Sequence, residues 1–390
     1  MKIGIYGGTF DPPHIGHVSA ARAAVSRLGL DKLLLIPTST PPHKALAQGS
    51  LSARERLEMT ALCAAGIPNA EASDIELRRG GKSYTADTVA SLREQYPDAR
   101  FYLLMGTDMF LSIEQWRDFD GLIRRVTPAV FPRAGGDRES VAAFAASLRE
   151  KYGAETELVP HEPVEISSTE VRALLPFRRG REYLSPEVYA YIIRKRAYGA
   201  KPDFAWLREQ SYKRLKEKRI PHVIGCEEEA AHLAKRWGAS VEDAREAAIL
   251  HDITKKETLE EQLHLCAKYD IITDTAEAES ANLLHAKTGA AVAGRVFGMS
   301  EDVCSAIRWH TTGRADMSLL EKILYMADYI EPTRDFEGVE ALRRLAYEDL
   351  DAAVLLGLEM GLEDLKSRGI EPHEASMKAL EYLKRKRNTA

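Results

Sequence analysis

The chain has 390 residues, 45% of them apolar and 29% charged, with a formal net charge of −5. At roughly 100–200 residues per domain, that length suggests two domains. The acidic balance gives no electrostatic reason to expect nucleic acid as a partner, and no apolar run approaches the ~20 residues of a membrane span.

The opening residues read as a strand rather than a signal peptide. The four cysteines, Cys63, Cys226, Cys266 and Cys304, form no CxxC pair. A cytoplasmic protein with reduced thiols, away from membranes, is the expectation; a homo-oligomer stays open. From residue 1 to about 180, strand-like runs (Ile3–Tyr6, Leu33–Pro37, Asp74–Arg78, Phe101–Met105, Pro128–Phe131, Glu157–Pro160) alternate with helical patterns (His17–Leu28, Ala53–Ala64, Thr85–Gln95, Ser140–Tyr152). Such alternation predicts an α/β fold with a doubly wound, mostly parallel sheet. Its ligand is expected beyond the carboxyl ends of the strands, where strand order reverses.

The loop after the first strand, Gly7-Gly8-Thr9-Phe10-Asp11-Pro12-Pro13-His14-Ile15-Gly16-His17, sits at that edge. Glycines permit a tight turn and close approach of a ligand. The two histidines stand three apart at a helix start, whose free N–H groups attract phosphate. After the second strand comes Thr38-Ser39-Thr40-Pro41-Pro42-His43-Lys44, ending in a lysine able to reach a polyphosphate. Gly106-Thr107-Asp108 follows the strand ending at Met105, with Trp116 eight residues beyond the aspartate. Ile166-Ser167-Ser168-Thr169-Glu170-Val171-Arg172 reads both as a capping box, Ser167 with Glu170, and as an oxyanion binder. Each stretch alone is weak; together, at successive strand ends, they point to a nucleotide site.

GGTFDPPHxGH, PPHK, GTD with its downstream Trp, and ISSTxVR together resemble bacterial nicotinate-nucleotide adenylyltransferases of the nucleotidyltransferase superfamily, over residues 1–198. The resemblance implies ATP and nicotinate mononucleotide as substrates, with nicotinate adenine dinucleotide and pyrophosphate as products. It implies an ATP site of Gly7, Gly8, Thr9, Phe10, His14, His17, Ser167, Ser168, Thr169 and Arg172. The mononucleotide side would be Lys44, Thr85, Asp108, Trp116 and Arg133. Catalysis would fall to His14, His17, Lys44, Asp108 and Arg172, with Mg²⁺ carried mainly by the phosphates. The preference for the acid over the amide substrate also rests on the resemblance.

Beyond Tyr198-Gly199-Ala200-Lys201-Pro202 only amphipathic helices remain, so residues 203–390 read as an all-α second domain. The closing Lys384–Arg387 cluster reads as a solvated helix end. His222, His251-Asp252, His285, His310 and Asp328 each fall on the apolar stripe of a helical pattern. Two inward carboxylates among four inward imidazoles are costly to bury unless divalent cations are present. Six such ligands suit two metals ~3.5–4 Å apart, with Asp252 as the bridge.

The order His…His-Asp…Asp resembles the HD phosphohydrolases. The fuller set, with Leu250–Lys255, His285–Ala290, His310–Arg314 and Ala327–Pro332, resembles the bacterial HD-domain symmetrical diadenosine tetraphosphate hydrolases. Those split their substrate into two ADP and use iron; manganese and zinc stay open. The resemblance implies Asp252 and Lys255 as catalytic residues, with Lys255 and Arg314 on the outer phosphates. Two alternatives remain for this half: a nucleotide phosphatase or pyrophosphatase of NAD metabolism, and a nucleotide-sensing module without turnover.

Overall fold

In the computed structural model, which describes residues 1–40, 48–132, 137–161 and 164–388, the chain divides into two compact units, Met1–Lys201 and Pro202–Ala390. No helix among the described residues is long and apolar enough to cross a membrane. All four cysteines are free thiols.

The first unit is built on a six-stranded sheet, β1 (Lys2–Gly8), β2 (Lys32–Pro37), β3 (Ala70–Ala72), β4 (Arg100–Gly106), β5 (Val126–Phe131) and β6 (Glu157–Leu158). Every neighbouring pair is parallel, in the order β3-β2-β1-β4-β5-β6. The chain winds outward from β1 to β3, then returns to set β4 against the other side of β1. The crevice after β1 and β4 is therefore the switch point. Ile3, Ile5, Leu33, Leu35, Phe101 and Leu103 are all at most 3% exposed, so the central strands are apolar on both faces, as a helix-covered parallel sheet requires.

The helices of this unit are α1 (Ile15–Leu28), α2 (Ala53–Ala64), α3 (Ile75–Arg79), α4 (Thr85–Gln95), α5 (Thr107–Leu111), α6 (Phe119–Ile123), α7 (Asp137–Tyr152), α8 (Ser168–Leu174) and α9 (Pro186–Lys195). One expectation fails. The run Asp74–Arg78 is no strand but the body of α3, and the third strand lies just before it, at Ala70–Ala72. Alternation over Ile75 and Leu77 was outweighed by local start and stop signals. Ser73 Oγ accepts from the Ile75 N–H, Arg78 pairs with Asp74 at 2.9 Å one turn away, and Gly80, at φ 69°, ends the helix.

The second unit is helical throughout: α10 (Phe204–Tyr212), α11 (Ile220–Trp237), α12 (Val241–Leu250), α13 (Leu259–Tyr269), α14 (Thr275–Ala278), α15 (Ala281–Phe297), α16 (Glu301–Trp309), α17 (Leu319–Ile330), α18 (Val339–Glu348), α19 (Leu350–Ser367) and α20 (Glu374–Asn388). Ser240, Thr258, Ser300 and Ser318 cap their helices by accepting from the third backbone N–H. Helices α11, α12, α15, α16 and α17 pack around a core that includes Val223, Leu233, Ile249, Leu284, Ile307 and Leu324, each fully buried. The closing basic cluster does more than sit in solvent. Lys384, Lys386 and Arg387 pair with Glu359, Asp351 and Asp349 of the α18–α19 region at 2.7–2.8 Å, clipping α20 down.

Candidate functional site

In the first unit Gly7 and Gly8 end β1, and Phe10 turns the chain at φ 49°. The Phe10 ring is buried between Tyr6 (5.7 Å) and His17 (5.0 Å). A Cβ on Gly8 would stand 3.1 Å from that ring, whereas one on Gly7 would meet nothing, so the strand end stays open on that side. The Thr9 carbonyl is held by Arg56 Nη1 at 2.8 Å.

His14 is the N-cap of α1, and its contacts settle where two protons sit. His14 Nδ1 accepts from the Gly16 N–H at 3.2 Å, and His17 Nδ1 accepts from the His14 N–H at 3.1 Å. Each imidazole must then keep its own proton on Nε2. Burial lowers His14 to about 4, and burial followed by the neighbouring His14 holds His17 well below the ordinary imidazole range. At neutral pH the loop therefore carries two uncharged Nε2–H donors, their rings 3.9 Å apart.

The start of α8 lies against this loop. Ser167 and Glu170 form the expected capping box. Ser168 Oγ donates to the Pro12 carbonyl at 2.8 Å, while Arg172 donates from Nη1 to the Asp11 carbonyl at 2.5 Å and from Nη2 to Thr169 Oγ1 at 3.1 Å. So the structure brings together Gly7, Gly8, Thr9, Phe10, His14, His17, Ser168, Thr169 and Arg172. Asp108 lies exposed in the first turn of α5, after β4, across the switch point. Thr85 opens α4, which has no side-chain cap, and Trp116 is half-buried against the sheet's core. Lys44 and Arg133 lie outside the described residues.

Sequence reasoning missed three residues that shape this loop. Arg56, fully buried, donates to the carbonyls of Thr9, Ser39 and Leu51. Asp11, 2% exposed, accepts on Oδ1 from the Tyr198 hydroxyl at 2.6 Å and the Leu51 N–H at 3.3 Å. Asp11 at least stood inside the motif; Arg56 and Tyr198 carried no local signal.

The second unit gathers its six residues from five helices: His222 on α11, His251-Asp252 just past α12, His285 on α15, His310 just past α16 and Asp328 in the last turn of α17. Here the backbone contacts run the other way. The Nδ1 atoms of His251, His285 and His310 each lie 2.7 Å from a carbonyl, of Ala248, Asn282 and Ile307, and His222 Nδ1 lies 3.0 Å from Glu331 Oε1. Acceptors at all four Nδ1 atoms place the protons there, leaving four Nε2 lone pairs turned inward. His222 and His251 bring theirs within 3.2 Å of each other, and His285 and His310 within 3.1 Å. His222 Nε2 is also 3.0 Å from Asp328 Oδ1, and His285 Nε2 3.2 Å from Asp252 Oδ1. Burial keeps His310 neutral, down at about 3. The fully buried Asp252 Oδ1 has no hydrogen bond.

Lone pairs and anionic oxygens converging in this way repel one another unless a cation lies among them, and a neutral-imidazole and carboxylate set is what divalent transition metals take. The residues fit such ions. Two overlapping groups, His222–His251–Asp328 and His251–Asp252–His310, have all donor atoms within 4.8 Å. A third group, Asp274, Glu277 and His373, differs in kind, because the Lys287 ammonium already sits on Glu277.

Lys255 lies at the His–Asp cluster, its Nζ 3.3 Å from both ring nitrogens of His285. Arg314 is tied down by its Nε, which pairs with Glu321 at 3.0 and 3.1 Å within the cap of α17. Glu331, inside the stretch Ala327–Pro332, is fully buried against the Nδ1 side of His222. It also accepts from the Thr333 N–H at 2.7 Å and hydroxyl at 2.5 Å. Gly225 makes room for it, since a Cβ there would meet Glu331 Oε2 at 2.5 Å.

The family described as cytidylyltransferase-like matches residues 5–174, and the HD domain family matches residues 219–333. The chain is thus a nucleotidyltransferase-fold unit followed by an HD domain. More narrowly, its first half belongs to the nicotinate-nucleotide adenylyltransferase family. It is 41% identical over 196 residues to a probable nicotinate-nucleotide adenylyltransferase of Gloeobacter violaceus, covering 50% of this chain and 94% of that one. A Pelobacter propionicus protein of the same description is 36% identical over 217 residues, covering 52% and 100%. Among solved structures, a Clostridium acetobutylicum protein, "predicted HD superfamily hydrolase involved in NAD metabolism", shares 36% identity, covers 47% of this chain and 97% of that one, and superposes with a TM-score of 0.46.

Two measurements check these geometries. An unfolded imidazole near 6.5 takes up a proton that folded His14, at about 4, refuses. Its contribution to stability is therefore complete above pH 6.5 and is lost as the pH falls towards 4. The His14 ring resonance is expected to stay flat from pH 8 to 5.5; a midpoint near 6.5 would refute the buried, neutral assignment. In the HD domain, Glu331→Ala is expected to weaken Mn²⁺ binding about 10- to 100-fold by freeing the ring of His222, read as metal retained after dialysis. Undiminished retention would show that Glu331 does not orient the ligand.

Proposed function

We propose that the first unit transfers the adenylyl group of ATP to nicotinate mononucleotide. A phosphate oxygen of the mononucleotide attacks the α-phosphorus, the bond to the bridging oxygen breaks, and pyrophosphate leaves with that electron pair. The attacking phosphate is already anionic, so the protein supplies no nucleophile and takes up no proton. It positions the two substrates and neutralises developing charge. The observation that carries this reading is the pair of neutral Nε2–H donors of His14 and His17 at the N-terminus of α1. Uncharged donors fixed in place stabilise charge that grows during the reaction, without themselves exchanging protons. Arg172, Ser168, Thr169 and Lys44 complete the phosphate side, with Mg²⁺ on the ATP phosphates. Thr85, Asp108, Trp116 and Arg133 serve the mononucleotide, the indole offering a face to the pyridine ring.

For the HD domain we infer hydrolysis of diadenosine tetraphosphate into two ADP. The oxygen of a water molecule bonds to one of the two inner phosphorus atoms. The bond from that phosphorus to the bridging oxygen breaks, the leaving ADP keeps the oxygen and the electron pair, and the protons of the water pass to solvent. His222, His251, Asp252, His285, His310 and Asp328 would hold two divalent ions, iron by preference and manganese or zinc as substitutes. Such ions polarise phosphoryl oxygens and make water nucleophilic at neutral pH. Lys255, beside His285, would bind a phosphoryl oxygen of the substrate.

The test uses the full chain loaded with Fe²⁺ or Mn²⁺. ADP is the expected product from diadenosine tetraphosphate; phosphate released from simple nucleotides instead would favour a nucleotide phosphatase, and no turnover with any metal would favour a sensing module. His17→Ala is expected to lower adenylyl transfer by about 10²- to 10³-fold and to leave hydrolysis within about twofold, with Asp252→Ala doing the reverse. Loss of both activities in either folded variant would overturn the assignment of separate sites.

A further inference from the structure

Two arginines that no motif singled out stand over the metal constellation, one on each of its carboxylates. Arg219, the residue before α11, donates from Nε to Asp252 Oδ2 at 2.5 Å. Arg334, just past α17, donates from Nη2 to Asp328 Oδ1 at 2.7 Å and from Nε to the Asp328 carbonyl at 2.9 Å. Asp252 is fully buried and Asp328 mostly so, whereas the arginine side chains are 31% and 33% exposed. Both arginine side chains therefore run from a buried or mostly buried carboxylate out to solvent. The two terminal nitrogens of Arg219 and Nη1 of Arg334 make no hydrogen bond to the described residues. Lys255 shares their field: burial lowers its ammonium, and both arginines lower it further against the pull of Asp252 and Asp328.

The charges around the centre explain what this arrangement is for. Three cations, Arg219, Lys255 and Arg334, face three buried or mostly buried carboxylates, Asp252, Asp328 and Glu331. Without metal the group is balanced, and the guanidinium groups are held by the carboxylates. Two divalent ions would satisfy those carboxylates themselves and leave the group strongly positive. Planar forks of N–H donors with free edges are the residue type best matched to phosphate oxygens.

We propose that Arg219 and Arg334 form a metal-gated clamp for a polyphosphate, one guanidinium for the phosphates on either side of the bond to be cut. With divalent ions bound, Asp252 and Asp328 would serve as their ligands, and the guanidinium donors so released would turn to the substrate. A linkage with phosphate on both sides engages both arginines, whereas a monoester can engage one. The inference deepens the hydrolase reading and rests on it for the identity of the scissile linkage.

The test measures Mn²⁺ content, ADP binding by calorimetry, and kcat and KM for diadenosine tetraphosphate, on the full chain. Wild type is expected to bind ADP only when loaded with Mn²⁺. Arg219→Gln and Arg334→Gln are expected to retain Mn²⁺, to weaken ADP binding about 10- to 100-fold, and to raise KM more than they lower kcat. Arg219→Lys and Arg334→Lys, which keep the charge and the fold, should recover part of the loss. Equal ADP affinity with and without Mn²⁺ would overturn the gate. Wild-type ADP affinity in the glutamine variants, or loss of Mn²⁺ in parallel with ADP, would overturn the clamp. If loaded wild type shows the binding pattern but never cleaves diadenosine tetraphosphate, the clamp is supported and the hydrolase reading fails.

Discussion

Which ring nitrogen of a histidine carries the proton decides what that histidine can hold, and in both units the position of the proton is set by the groups around Nδ1. In the first unit backbone N–H groups point at the Nδ1 atoms of His14 and His17, so Nε2 is left as a donor. In the second unit acceptors, three carbonyls and the Glu331 carboxylate, face the Nδ1 atoms of His222, His251, His285 and His310, so Nε2 is left as a lone pair. The same side chain becomes an N–H donor at a helix start and a lone-pair acceptor on or just past a helix. Helix polarity supplies the difference. Free N–H groups gather at the start of α1, and each carbonyl facing His251, His285 and His310 belongs to the residue three positions before it.

Burial holds His14, His17, His285 and His310 below the ordinary imidazole range. A solvated imidazole would be partly protonated and would present N–H on both sides, erasing the distinction. His14 and His310 are pushed down to about 4 and about 3 by desolvation, so neither tautomer is lost to protonation. In each case that state is costly in isolation, and each unit offsets the cost with hydrogen bonds to fixed groups.

Much of this was legible because the relevant patterns are local. The glycine–histidine loop, the Ser167–Glu170 box and the inward stripe positions of the six HD residues are all spacings of a few residues. The parallel sheet followed from alternation alone. What escaped was non-local. Arg56 reaches Thr9 across 47 positions, Glu331 reaches His222 across 109, and Arg219 reaches Asp252 across 33. None of these pairs has a periodicity to betray it, since each depends on how whole helices pack. Arg314 is the reverse case: it lies four residues from His310 in sequence, but a buried glutamate at the start of the next helix holds its Nε. The misread third strand shows the same competition at short range, where a serine and a glycine outweighed two alternating apolar residues.

The Tyr198 hydroxyl on Asp11 has a consequence for how the protein is made. The opening loop leaves the ribosome well before its buried carboxylate can find its partner, 187 residues further along the chain. Leu51 and Arg172 hold the same turn from points in between. Early in synthesis the loop can form its glycine turn and the first helix cap, both local, but not its final shape. The first unit should therefore become competent to bind nucleotide late and all at once, when the last of its residues clears the exit tunnel, and a nascent chain stalled short of that point should hold a sheet without a site.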